Sequence, residues 1–578
     1  MKKGRGHNML NYKLYLAEKI SSVISSVDPN EIAMLMEYPP DSLIGDLSLP
    51  CFRLSKVLKK SPSEIASELK QKLTDNVIDD VVSQSGYLNI FLNKKHLVDT
   101  VTKGILTAGE QYGSQDIGQG KTVVIDYSSP NIAKPFHVAH LRSTVIGHAL
   151  YQIFTFLGYN CVGINHLGDW GTQFGKLIVG YHLWGDDKNI QQNGIDELLR
   201  LYVKFHEEAE KDPALEDSAR AWFVKMEQGD QEALALWKWF VEISMAEFQR
   251  IYQLLGVQFD SYTGESFYND KMEQVIGELK EKHLLEEDEG AWLVRLDEFG
   301  MSPALMLKKD GSSLYHTRDV AAALFRKKKY DFDRAIYITD YAQNLHFQQC
   351  MKIVELMGYS WAKDIVHVAF GRVSIQGMSL STRKGNVIKL EDLLQQAINK
   401  IRGIIEERTP NLENKEQVAQ QVGVGAVIFN DLSSNRIKDI DFNWDKALNF
   451  EGETGPYVQY TYARTCTVIN KAKLLSSSAL HGGEMDAAQL LNTEAVRVIK
   501  ELYLFTERVE QAMRKLEPSI IARYLVDLAQ AFNHFYHECR VLVDDVPLRE
   551  ARLALVTCVQ ITLKNGLRLI GLQAPEQI

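Results

Sequence analysis

Two imidazoles three residues apart, His137 and His140, stand in the run DYSSPNIAKPFHVAHLRS, Asp126 to Ser143. That spacing puts both rings on one face of an opening helical turn, where free backbone N–H groups and the positive end of the helix dipole favour an anion. Pro130 and Pro135 keep the preceding loop extended, because a residue before proline avoids the α region. Lys134 adds a positive charge to the same space, so the segment suits a phosphate. An isolated H-x-x-H pair is more often surface or core decoration, and the surrounding pattern has to decide. A second stretch, GMSLSTRKGNVIKLEDLL from Gly377, sets Met378, Ser379, Ser381, Arg383 and Lys384 in a loop of small and basic residues ahead of a helix. Loops of this kind can close over a triphosphate and stabilise charge on a departing pyrophosphate. In a third stretch, SLYHTRDVAAAL, Tyr315 and Asp319 are i and i+4 and share a helical face. Together they offer the hydroxyl and carboxylate acceptors that a planar guanidinium requires. Taken alone, Asp319 is as readily a helix-face ion pair with Arg318 or Lys327. DYAQNLHFQQ supplies Gln343, Asn344 and His346 on a later strand-to-helix turn.

These residues need a frame. KTVVIDY is a short β-branched run, HVAHLRSTVIGHALYQIFTFLG has helical spacing closed by Gly158, and YNCVGINHLG is again β-rich. Strand, helix, strand in that order predicts a parallel, doubly wound sheet with its ligand at the carboxyl ends of the strands. The glycine-rich turn GDWGTQFGKL follows the second strand, with Asp169 read first as a helix cap. Further strands are expected at AIYITD and IVHVAF, and a hairpin at KKDGSSLY around Asp310-Gly311. The expected organisation is an N-terminal α+β domain over 1–117, whose second helical segment opens with Ser61 and Pro62, Glu64 lying three residues after Ser61 as in a capping box. A Rossmann-like α/β catalytic domain follows over 118–390, with a helical insertion at about 189–255. A helical connection at 391–450 leads to an all-α bundle at 451–578.

Length agrees, since 578 residues at roughly 150 per domain make three or four domains. No run reaches the roughly 20 apolar residues of a membrane span, and the basic start lacks an apolar h-region, so a secreted or membrane protein is not expected. The six cysteines are scattered without a C-x-x-C pair, which predicts free thiols in a reducing compartment and no metal clip. With 65 basic against 75 acidic side chains the chain carries −10, so a polyanion must meet local patches rather than a global field.

The run SSPNIAKPFHVAHLRST resembles the HIGH signature of class I aminoacyl-tRNA synthetases, and in its wider extent that of arginyl-tRNA synthetases. The third signature position, usually glycine, is Ala139. GMSLS resembles the family's KMSKS loop in altered form, with Leu380 at the position of the second lysine; the resemblance gives the compensating role to Lys134. HLGDWGTQFG, including His166, is similar to the arginyl pattern. EGETGPYVQYTYARTC carries Ala463 and Arg464 at the heart of a DALR-like anticodon-binding domain, and YPPDSLIGDLSLP resembles the extra N-terminal domain that reaches the outer corner of the tRNA.

The resemblance implies an arginine–tRNA ligase that makes arginyl-adenylate from L-arginine and ATP and passes arginine to the 3′-terminal ribose of tRNA(Arg). It places His137, His140 and Lys134 on the phosphates, and Tyr315, Asp319 and Glu265 on the guanidinium. Asn131 and Gln343 fall to the backbone amino group, and Tyr457, Arg464 and Tyr536 to the anticodon, with the aromatic rings stacking on splayed bases. Mg²⁺ is expected with ATP, without a dedicated metal site or tightly bound cofactor. A cytoplasmic monomer with no membrane or DNA partner is expected. Two rivals remain at this stage. A cysteinyl enzyme would need a cysteine-rich zinc site, and a tRNA-binding protein on a disabled synthetase would show first at Ala139 and Leu380.

Overall fold

The computed structural model describes residues 9–25, 27–41, 43–309, 315–375, 378–379, 388–475 and 485–578. The expected hairpin turn at Asp310-Gly311 and the site candidates Ser381, Arg383 and Lys384 lie outside the described residues.

Four parallel strands organise the centre. Strand β1 (Thr122–Asp126) runs into helix α1 (Val138–Phe156), β2 (Asn160–Ile164) and helix α2 (Thr172–Trp184). After the insertion come helix α3 (Tyr315–Tyr330), β3 (Arg334–Asp340), helix α4 (Asn344–Leu356) and β4 (Ile365–Phe370). The sheet order is β4-β3-β1-β2, every pair parallel. Val123, Val124 and Ile125 are buried, as expected for a strand covered on both faces. The chain adds β2 on one side of β1 and β3 on the other, so the topological switch falls between β1 and β3, where doubly wound sheets hold ligands. Asp126 and Asp340 end those two strands.

The insertion is helical, as its period predicts, with helices Asp187–Asn193, Ile195–Ala209, Ala214–Glu227 and Gln231–Leu255. A three-stranded antiparallel sheet, Glu286–Asp288, Ala291–Val294 and Ala304–Leu307, lies between the insertion and α3. It was not legible in advance because its strands have only three or four residues, too few for alternation to show.

The N-terminal unit is α+β, and its capping box forms as read: Ser61 accepts from the Glu64 N–H and Glu64 from the Ser61 N–H. Its strand Tyr87–Leu92 is central, flanked antiparallel by Leu47–Pro50 and Ile78–Gln84. The unit docks on the C-terminal helices. Tyr503 accepts from the Tyr12 N–H at 2.8 Å, and Tyr38 and Lys13 both reach Glu507. The described residues beyond 391 are mostly helical, as expected, and Ile440–Phe442 is a strand. It pairs parallel with Val373–Ile375, tying the connecting region to the segment after β4.

Candidate active site

The loop from β1 to α1 is held in an unusual shape. Ser128, Ser129 and Ala133 all have positive φ, at 74°, 50° and 60°, a region that non-glycine residues rarely adopt. Buried hydrogen bonds keep them there. The Ser128 N–H donates to Ser143 Oγ at 3.0 Å, Ser128 Oγ lies 2.7 Å from the Tyr252 hydroxyl, and the Ala133 N–H donates to Ser244 Oγ at 2.9 Å. Tyr252 and Ser244 belong to the last helix of the insertion, which therefore braces the loop. Such over-determined strain is concentrated at functional sites.

At the loop's end His137 is the N-cap of α1, and its ring stacks on that of His140 with centroids 3.7 Å apart. The His137 N–H donates to His140 Nδ1 at 3.2 Å. His140 thus carries its proton on Nε2 when neutral. Burial holds His137 at about 4 and His140 well below its ordinary value, with Lys134 opposing a positive charge on either ring. Both rings are neutral at physiological pH, able to donate a hydrogen bond to phosphate oxygens without a charge change.

A cavity of about 950 Å³ opens at the carboxyl ends of β1 and β3. Asn131, His140, Glu265, Tyr315, Asp319 and Gln343 all line it. Six residues read from separate stretches of sequence are thereby brought to one space. Ala139 lines it as well. Lys134 and His137 do not; Lys134 Nζ lies 5.8 Å from the centre of the Tyr202 ring in the insertion. Met378 and Ser379 form a short antiparallel pairing with Ser374 and Ile375 beside the cavity rim.

The partners of the acidic residues differ from the simplest reading. Asp319 pairs with His346, Oδ2 to Nε2 at 2.5 Å, and not with Arg318 or Lys327. Burial raises the Asp319 carboxyl, but the His346 hydrogen bond and charge outweigh it and hold the group below its ordinary value. Arg318 instead faces Glu265 at 3.5 Å. Burial pushes Glu265 up to about 7, against the pull of Arg318. Asp169 does not cap the helix that follows it, whose N-cap is Gly171 without a side-chain bond; it accepts instead from both the N–H and Oγ of Ser266, at 2.8 and 2.6 Å, at the start of the turn that carries Glu265. Gly168 leaves room for Asn131: a Cβ there would meet Asn131 Oδ1 and push that amide from its place in the cavity.

Beneath the cavity Arg326 is fully buried and pairs with Asp126 at 2.7 Å, its guanidinium near the rings of Tyr268 and Tyr337. Sequence reading missed Arg326, which lies on the same stripe of α3 as Asp319, seven residues on. It also missed Arg372, which lines the cavity from the turn after β4. The spacing of Arg326 from Asp319 was a usable signal, whereas Arg372 had none.

A family model of the class I tRNA synthetase (R) catalytic domain matches residues 101–444. A DALR anticodon-binding model matches 458–578 and an arginyl-tRNA synthetase N-terminal model 14–92. The chain is 54% identical to the arginine–tRNA ligase of Alkaliphilus metalliredigens, over 99% of this chain and all of that one. The chain belongs to the arginyl-tRNA synthetase family. It is also 50% identical to the arginine–tRNA ligase of Clostridioides difficile, over 99% of this chain and the whole of that one. Among solved structures, Thermus thermophilus arginyl-tRNA synthetase superposes with a TM-score of 0.81 at 25% identity, covering 98% of this chain and 100% of that one.

In this arginyl-tRNA synthetase family member the C-terminal candidates also converge. Asn533 accepts from Arg464 Nη1 and donates from Nδ2 to the Tyr457 hydroxyl at 2.9 Å. The Arg464 guanidinium lies 5.1 and 5.2 Å from the ring centres of Tyr460 and Tyr536. Tyr536 and Tyr460 are more than a third exposed. Asn533, three residues before Tyr536, was missed. Among the described residues no helix is long and apolar enough to cross a membrane.

Proposed function

We propose that this chain is an arginine–tRNA ligase. An oxygen of the arginine carboxylate attacks the α-phosphate of ATP, pyrophosphate leaves, and the 3′-terminal ribose of tRNA(Arg) then takes the arginyl group from the adenylate and releases AMP. The observation that carries this reading is the cavity that gathers Asp319, Glu265 and Tyr315 beside His140 at the switch between β1 and β3. A guanidinium has five donors and a fixed charge, so a carboxylate kept ionised and a second carboxyl across the cavity are fitting acceptors. Asn131 and Gln343 take the substrate amino group. His137 and His140, with Lys134 swinging in from Tyr202, take the phosphates, and the small and basic side chains of 377–385 are further candidates for the triphosphate. The protein contributes positioning and electrostatic stabilisation, with no covalent nucleophile.

Mg²⁺ arrives with ATP. Each carboxylate lining the cavity already has a partner: Asp126 with Arg326, Glu265 with Arg318, Asp319 with His346, and Asp340 and Asp439 with the N–H groups of Ala342 and Arg372. We therefore assign no step to a protein-held ion. Tyr457, Arg464 and Tyr536 read the anticodon, residues 1–117 contact the tRNA corner, 118–390 is the catalytic domain, and the chain acts as a cytoplasmic monomer.

The experiment is charging of total tRNA with each amino acid in turn, with ATP and Mg²⁺. Arginine alone should be attached; tRNA binding without any charging would favour the binding-only alternative and put Ala139 and Leu380 under suspicion.

Two further outcomes are expected. Glu265 is charged above about pH 7 and protonated below it, so the acceptor is present at high pH and lost as pH falls. Between pH 8 and pH 6 the KM for arginine should rise about tenfold. Glu265→Gln should flatten that profile; a profile unchanged in the variant would remove Glu265 from the guanidinium. Lys134→Ala should lower kcat on the order of 100-fold with a smaller change in KM for ATP, as for removal of one group that stabilises transition-state charge. Turnover at the parent rate would end its compensating role.

A further inference from the structure

We propose that Asp319, His346 and Cys350 form a site for a thiophilic divalent cation of the zinc class, seated so that the metal and the substrate guanidinium exclude one another. The exclusion rests on the placement of arginine at Asp319 proposed above; the metal site does not.

His346 and Cys350 are i and i+4 on α4, one above the other on a single face. Their donor atoms, Nε2 and Sγ, are 3.7 Å apart. From the facing helix α3, Asp319 Oδ2 comes within 2.5 Å of the same Nε2, and all three donor atoms lie within 4.8 Å of one another. A tetrahedral zinc with bonds of about 2.3 Å to sulfur and about 2.05 Å to nitrogen holds those two ligands about 3.6 Å apart. The helix therefore presents them already at bonding separation. The Asp319–His346 pair, closed by a hydrogen bond, would open to about 3.3 Å for a shared metal, a movement within the reach of one carboxylate rotamer.

The surroundings fit an open site. Cys350 is buried behind the other two, whereas Asp319 and His346 are partly exposed and face the cavity. Three protein ligands with a fourth position toward solvent is the arrangement of a zinc site that exchanges its outer ligand. One carboxylate, one imidazole and one thiol are poor partners for Mg²⁺ or Ca²⁺, which take oxygen ligands in greater number. On binding, the Cys350 S–H bond breaks and its proton goes to water while the metal–sulfur bond forms. The proton that His346 Nε2 donates to Asp319 also leaves to water, so that the neutral imidazole, protonated on Nδ1, turns its Nε2 lone pair to the metal; nothing is oxidised or reduced. The same Asp319 oxygen cannot then receive a guanidinium.

The test uses the full chain in a phosphine-reduced buffer. Cobalt(II) titrated into the protein should give the thiolate charge-transfer band and the intense d–d bands of a tetrahedral site, both absent in Cys350→Ser. Zn²⁺ should raise the apparent KM for arginine in proportion to its concentration with kcat unchanged. In Cys350→Ser, inhibition should need at least about tenfold more zinc, since even outer-shell changes at metal sites cost roughly 10–100-fold. A cobalt spectrum without a thiolate band, or one that persists in Cys350→Ser, overturns the site. If the band appears, vanishes in Cys350→Ser and yet withstands saturating arginine, the metal ligands stand and the exclusion falls, together with the guanidinium's place at Asp319.

Discussion

Replacing Asp319 with alanine is expected to raise the KM for arginine between about 30- and 4,000-fold while leaving the KM for ATP within about twofold. The range follows from the 2–5 kcal/mol lost when one partner of a buried, hydrogen-bonded charge pair is removed, at 1.4 kcal/mol per tenfold. The residue earns the upper part of that range on two grounds. Its carboxylate is held by His346, which keeps it charged and fixes its plane, so little order has to be created when the substrate binds. Glu265 across the cavity is the weaker acceptor near neutrality, because burial has pushed it up to about 7. Asp319→Asn keeps the shape but not the charge, and should fall between the parent and the alanine variant. The measurement is arginine-dependent charging at saturating ATP and tRNA, and an arginine KM near the parent value in Asp319→Ala would mean that the guanidinium lies elsewhere.

Much of this site was legible because its parts are local. Strand β1, helix α1 and the H-x-x-H turn occupy one continuous run and were legible there, but the shape of the loop between them was not: Ser129, before Pro130, has φ 50° and not the extended value expected, because buried partners from distant elements hold the loop. Tyr315 and Asp319 were legible by helical period alone. What the period could not supply is which partner each charged group takes. Asp319 and His346 are 27 residues apart in sequence and meet only because α3 and α4 flank β3. The bracing of the loop by Tyr252 and Ser244 was likewise hidden, since it depends on how the last insertion helix folds back over β1. The short antiparallel strands before α3 and the parallel pairing of Ile440–Phe442 with Val373–Ile375 escaped for a simpler reason: three or four residues carry no measurable alternation. Residue types and local spacing thus disclosed the chemistry, and the crossing of elements decided its electrostatics.

The largest expected effect on stability belongs to a residue that touches no substrate. Arg326→Met should destabilise the catalytic domain by about 3–5 kcal/mol, because it leaves Asp126 buried and uncompensated beneath the sheet's carboxyl end. Asp126 also accepts from Ser129 Oγ at 3.0 Å, and Ser129 is one of the residues held at positive φ. The pair therefore joins two parts of the site: the strained loop after β1 and the helix that carries Asp319. Asp126→Asn combined with Arg326→Met removes both charges. That double variant should be more stable than Arg326→Met alone, because an uncharged pair of similar volume carries no unpaired ion. Urea unfolding followed by tryptophan fluorescence reads the order of midpoints: parent highest, double variant between, Arg326→Met lowest. If Arg326→Met and the double variant unfold together, the pair carries little coupling. In the expected case the double variant should still bind arginine more weakly than the parent, because the loop and α3 lose the contact that sets their relative position even where the fold is regained.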